Sequence, residues 1–315
     1  MNQSKFSLAD VLTLLAALAF GFECFLGANF LALGDTGPSI ILAAIIAVLL
    51  GGHAFGIKLL KRTSRNFKSC FIWEMILLAA FVGFAVVFAN SPFPHYFTVS
   101  SKKADIQTKL SESITQAENM FAEYESYAAN REKIYETKLR SVVASADINP
   151  GEYAEYGFVN GVAAETQIEN KMFTVHADLF PSNYTDTIGG SGIKEVAHEW
   201  LAKAKKTTNG WKPIGIVAVV NEVEQNSTNW LNTLIELSKV REKGEEAADF
   251  ACPLSFEDTK KAFKTLGKPT PLTIGLAVLA YALMLLSWSV TKRHTKFPGL
   301  KILFGMGGSI TGNEL

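Results

Sequence analysis

Four apolar runs, Val11 to Gly34, Ser39 to Ile57, Cys70 to Ala89 and Leu272 to Val290, dominate the chain. Each is close to the roughly 20 residues that a helix needs to cross a bilayer. A backbone placed in hydrocarbon must satisfy its own polar groups, so each run is expected to be a transmembrane helix. The 48% hydrophobic content is concentrated in these runs rather than spread over a soluble core. The first run is too long for the apolar region of a secretory signal and carries Glu23, so it is read as a retained helix.

Formal charge sums to zero, but its distribution is uneven. Outside residues 91–269 the basic side chains are Lys5, Lys58, Lys61, Arg62, Arg65, Lys68, Lys292, Arg293, Lys296 and Lys301. They fall at the N-terminus, in the loop 58–69 and in the tail 292–315, while the turn from Asp35 to Pro38 has none. Lysine and arginine are retained on the cytoplasmic side, so this pattern predicts cytoplasmic termini and an extracytoplasmic segment 91–269 between the third and fourth spans. The predicted layout is 1–90 for three spans, 91–269 for the external domain, 270–291 for the fourth span and 292–315 for the tail.

The external segment carries 20 basic against 25 acidic residues, which argues against nucleic acid as a partner. Cys252 is its single cysteine, so no disulfide can form within it, which favours a bacterial periplasm over a eukaryotic cell surface. Asn90 to Phe97 holds Pro92 and Pro94 and is expected to break the helix twice. Lys102 to Asp147 then runs without glycine or proline. Its apolar residues Ile106, Leu110, Ile114, Ala117, Phe121, Tyr124, Ala128, Ile134, Leu139 and Val142 recur mostly every three or four residues, predicting a long amphipathic stalk helix. Phe173, Val175, Ala177 and Leu179 alternate with polar residues and predict a half-buried strand in a small, irregular tip. Ile193 to Lys206 reads as a short helix. A longer one is expected from Pro213 to about Glu242, returning along the stalk as its antiparallel partner, with a last short helix from Ser255 to Leu266.

Ionisable residues inside the spans are the first candidates for chemistry, because a charge in hydrocarbon is costly. Glu23 falls near the middle of the first span. His53 and Glu74 fall at equal depth near the cytoplasmic end of the second and third, where adjacent helices would bring them together. One reading is a proton or cation path through Glu23, His53 and Glu74; the plainer one is polar glue between helices. Gly52 with Gly56 and Ala79 with Gly83 have the small-residue spacing of close helix contact, assigned to packing within the chain. His176 with Asp178 and His198 with Glu199 are metal-compatible types without a metal-binding spacing, and no nucleophile with a matching base is present. No catalytic residue, metal or cofactor is therefore expected.

The order of three spans, a large external domain and a fourth span resembles that of tetraspanins, but the Cys-Cys-Gly motif of their external loop is absent here, and no family is identified from residues. The sequence leads to an all-α membrane protein: four transmembrane helices and a mostly helical extracytoplasmic domain built as a long antiparallel hairpin with an irregular tip. The expected role is a non-enzymatic inner-membrane subunit that binds or multimerises with other membrane or periplasmic proteins, as a homo- or hetero-oligomer in the lipid bilayer. The alternatives are an ion-conducting subunit and a membrane sensor.

Overall fold

The structure, a computed structural model, describes residues 7–63, 67–184 and 192–293. The tail beyond Arg293 and residues 64–66 of the basic loop lie outside the described residues. Among those described the chain is helical, with no strand, and divides into two compact units: Met1–Ala104 with Lys261–Leu315, and Asp105–Lys260.

The first unit contains α1 (Leu8–Leu31), α2 (Thr36–Arg62), α3 (Phe67–Asn90), α4 (Phe93–Ser101), α11 (Pro271–Met284) and α12 (Leu286–Val290). Leu8–Leu31, Thr36–Arg62 and Lys68–Ser101 are long and apolar enough to cross a membrane. A capping box starts α1: Ser7 Oγ accepts from the Asp10 backbone N–H, and Asp10 accepts from the Ser7 N–H at 2.7 Å. The sequence predicts two breaks at Pro92 and Pro94, whereas only Ser91–Pro92 interrupts the helix. Pro94 sits in the first turn of α4, where its missing N–H has no intrahelical acceptor to lose.

The last apolar run is not one continuous helix. It breaks at Leu285, because the Thr13 hydroxyl enters the backbone ladder, donating to the Leu283 carbonyl and accepting from the Ser287 N–H, both at 3.3 Å. Those two groups are the partners that an unbroken helix would have joined. Small residues set the main seams of this unit. A Cβ on Gly27 would stand 2.2 Å from the Pro92 carbonyl oxygen, and one on Gly21 2.9 Å from the Ala47 methyl. Beyond these seams, His95 is buried with Nε2 2.8 Å from the Phe263 carbonyl, tying α4 to the chain leading into α11.

The second unit is organised around α5 (Lys103–Ala144), 42 residues and roughly 63 Å at 1.5 Å per residue. With it are α6 (Pro150–Glu155), α7 (Ala164–Leu179), α8 (Ile193–Gly210) and α9 (Ile216–Lys239), while α10 (Glu257–Lys264) crosses the boundary between units. The expected stripe of α5 is buried, except that Tyr135 rather than Ile134 turns inward. Residues 173–179 belong to α7, not to a strand. Ile168, Met172, Val175 and Leu179, spaced four, three and four, face the core, and Phe173 is left 74% exposed. Two of these inward positions also fit an alternating pattern, which is why the short window reads as a strand.

The direction of α9 also differs from expectation. α7 descends antiparallel to the C-terminal half of α5, through Arg140–Glu165 at 2.7 Å and Tyr124 Oη to the Leu179 carbonyl at 2.9 Å. α8 continues down its N-terminal half, ending where Gln107 donates to the Thr208 carbonyl at 2.8 Å. α9 then runs parallel to α5, with Trp230 beside Phe121 and the Ser238 carbonyl 3.0 Å from Arg131 Nη1. Residues 211–215 are too few to carry the chain back along α5, so α9 must start where α8 stops. The return is made by the extended segment 240–256, through Tyr127 Oη to the Ala248 carbonyl at 2.8 Å and Ser113 Oγ to the Ser255 carbonyl at 3.2 Å. The antiparallel hairpin is thus formed by α5 with α7 and α8.

Candidate functional site

The three ionisable residues singled out in the spans are not assembled together. Glu23 is half-buried on α1 and makes no hydrogen bond or ion pair with any described residue. His53 turns back on its own helix, Nδ1 against the Leu49 carbonyl, with its ring edge-on to Phe84 at 5.4 Å. Glu74 is fully buried, but its partners are Trp288 Nε1, which donates to Oε1 at 2.9 Å, and the Arg293 guanidinium, which donates to the same oxygen at 2.8 Å and pairs with the carboxylate as an ion pair. The expected His53–Glu74 pair does not form, because Arg293 takes the carboxylate first.

A second buried carboxylate escaped the sequence reading. Asp10 of α1 accepts from the Lys58 ammonium of α2 and from the Ser287 hydroxyl of α12, and all three groups are buried. Beside this pair Lys61 donates to the Trp288 carbonyl at 2.8 Å and lies 4.7 Å from the centre of its ring. Both buried carboxylates therefore hold the segment 287–293 against the first three helices. Removing one partner of such a pair leaves a buried charge uncompensated, which makes the cluster a structural clamp. The sequence signal that points to Asp10 is the helix-start pattern Ser7-x-x-Asp10, whereas Lys58 and Arg293 carry no signal beyond their charge beside a span.

Of the four predicted packing residues, Gly56 packs inside the chain, its Cβ position 3.3 Å from Leu77. Gly52 and Gly83 meet nothing within 4 Å, and Ala79 is exposed. Every face of a span is apolar, so spacing identifies a small-residue face without saying which way it points. An open, mostly apolar cleft of about 430 Å³ lies between α1, α2 and the end of α3, lined by Leu31, Leu42, Val87 and Phe88 among others. It offers room for hydrocarbon rather than an orienting polar set.

In the second unit Arg131 and Glu245 form a salt bridge with both side chains 2% exposed. Arg131 also donates to the Ser238 and Val240 carbonyls at the end of α9. Burial works against the charge on each, but their mutual pairing overrides it, holding Arg131 above and Glu245 below its ordinary value. The clamp fastens the returning segment 240–256 to α5. Burial pushes the Cys252 thiol up to about 11, so it is not a ready thiolate. His176 bonds Glu132 at 2.8 Å, and His198 packs on Phe121. No group of three or more metal-compatible side chains is found among the described residues.

Three of the apolar residues left uncovered in this unit lie at the tip, in the connection between α5 and α7, while Ile134, Phe173, Val196, Ile214 and Val240 are exposed elsewhere on it. Ile148 is 88% exposed, Val159 59% and Val162 50%. Gln167 holds the loop that bears the two valines, bonding the Val159 N–H and carbonyl and the Val162 carbonyl at 2.8–3.2 Å. The tip is thus an ordered surface with apolar groups presented outward. Comparison of the chain with protein-family models, with curated proteins and with solved structures returns no match.

Proposed function

We propose that the chain is a non-enzymatic membrane subunit whose 105–260 unit binds another envelope protein through its tip. In this reading the stretch 271–290 is the fourth span, both termini are cytoplasmic, and the 105–260 unit lies on the far side of a bacterial inner membrane. The three membrane-length helices and the one-sided basic residues support that arrangement. The carrying observation is the tip. Ile148, Val159 and Val162 stay exposed although the unit has built a closed aromatic core around Tyr124, Tyr184 and Phe250.

An ion path is the weaker reading, since the Glu74 carboxylate is occupied by Arg293 and neither His53 nor Glu23 is bonded to it. The binding reading is tested by purifying the tagged full-length protein from its native host in mild detergent, beside the variant Ile148→Ser, Val159→Ser, Val162→Ser. A stoichiometric companion present with the wild type and lost with the variant, at unchanged helicity, is the expected result. A companion retained by the variant would remove the tip from the proposal, and none at all in either would remove the binding role.

A further inference from the structure

Glu23 is the carboxylate of the first span that the molecule leaves without a hydrogen bond or ion pair among the described residues. Asp10, the other carboxylate of α1, is fully bonded inside the chain, which shows how this unit treats a buried charge when a partner exists. Glu23 lies 8 residues before Leu31, about 12 Å from the nearer end of α1, and its side chain is too short to lift the carboxyl to the headgroups. Acyl chains offer it no hydrogen bond. Leu12, Ala19 and Glu23 follow at spacings of seven and four, so they share one helix face, and Leu12 and Ala19 are exposed. A small residue one turn before a polar one is what a close helix pair requires: room for the backbones and a hydrogen bond across.

We infer that this face of α1 is a lateral interface with α1 of a second copy of the same chain, joined by Glu23 to Glu23. The inference rests on α1 being a membrane span. Two copies inserted with the same orientation place Glu23 at the same depth without any further adjustment. A neutral carboxyl is also self-complementary, since it both donates and accepts. A different membrane protein would need a polar group at this depth by separate provision, whereas a second copy supplies it by symmetry.

The test is energy transfer between differently labelled full-length copies in phosphatidylethanolamine–phosphatidylglycerol vesicles, measured while the protein is diluted in lipid. Wild type should show transfer that declines on dilution. Glu23→Leu should weaken association about tenfold, the size of one intramembrane hydrogen bond, while Glu23→Gln, which still donates and accepts, should stay within about threefold. In a chain whose three cysteines are alanine, Ala19→Cys should form a disulfide between copies, and Val48→Cys, exposed on α2, should not. Equal association of wild type and Glu23→Leu, equal weakening by Gln and Leu, or cross-linking of Ala19→Cys to a different protein would each overturn the inference. Resistance to carbonate extraction is recorded in parallel: an extracted protein refutes the membrane reading itself, whereas a retained monomer refutes only the second copy.

Discussion

Helices α1 to α4 and α11 are apolar over most of their surface, and their seams are chosen by small residues and by a few polar anchors. Helices α5, α7, α8 and α9 are amphipathic, and their seams follow the apolar stripe. The difference follows from the solvent. In water, burying a stripe is favourable and the period of the sequence declares which face goes inward. In hydrocarbon an apolar face gains little by turning inward, so close approach at Gly27 and hydrogen bonds at Asp10 and Thr13 decide the packing. Both units nevertheless fasten a late segment to an early helix with a buried ion pair: Glu245 to Arg131 in one, Lys58 to Asp10 with Ser287 in the other.

The largest effects are expected at these pairs. Glu245→Gln leaves Arg131 buried without a counter-charge and should destabilise the 105–260 unit by about 3–5 kcal/mol. The loss is read from near-ultraviolet dichroism of its tryptophans during thermal unfolding. Asp10→Asn strands Lys58 in the same way and should lower stability by about 3–5 kcal/mol on unfolding in mixed micelles, leaving the melting of the other unit unchanged. If both variants melted both units alike, the separation into two independently held regions would fail.

Next in size are the glycine seams. Gly27→Ala places a methyl against the Pro92 carbonyl, which cannot swing away as a side chain would, and should cost about 1–3 kcal/mol in the same micelle assay. Gly52→Ala, facing open space, should change stability by less than about 0.5 kcal/mol. The pair distinguishes a seam from a face that merely has the right spacing.

Acid titration sharpens the contrast further. Glu245 has a folded pKa below its ordinary 4.5, because Arg131 outweighs burial. Its stabilisation is complete above the unfolded value and is lost as pH falls below about 4.5 through the lower folded value. Melting of the 105–260 unit should therefore drop in that window, and the drop should shrink in Glu245→Gln. The smallest effect belongs to the tip. Ile148→Ser should leave the melting midpoint within the change expected of a surface substitution, about 0.5 kcal/mol, since the side chain is already exposed.

Much of the second unit was legible because amphipathic periodicity is a direct imprint of burial. Nearly every stripe residue predicted for α5 is buried, and the exception, Ile134, gave way to its neighbour Tyr135 as the helical face drifted. The window 173–179 misled because, over seven residues, periods of two and of 3.6 share positions, and only the longer frame from Ile168 separates them. In the first unit the existence of the apolar helices was legible, but their internal arrangement was not. Lys58 and Arg293 look the same whether they anchor a loop in water or neutralise a buried carboxylate 48 or 219 residues away.

By itself the sequence determined that the chain is helical, that three of its segments are long and apolar enough for a membrane, and that a long amphipathic helix organises the rest. These are properties of local composition and period, carried by neighbours within a few turns. The tertiary structure alone decided the parallel run of α9, the break at Leu285, the pairing of Glu74 with Arg293 instead of His53, and the solitary position of Glu23. Each of those depends on which distant group arrives within hydrogen-bonding range, and no spacing along the chain records that.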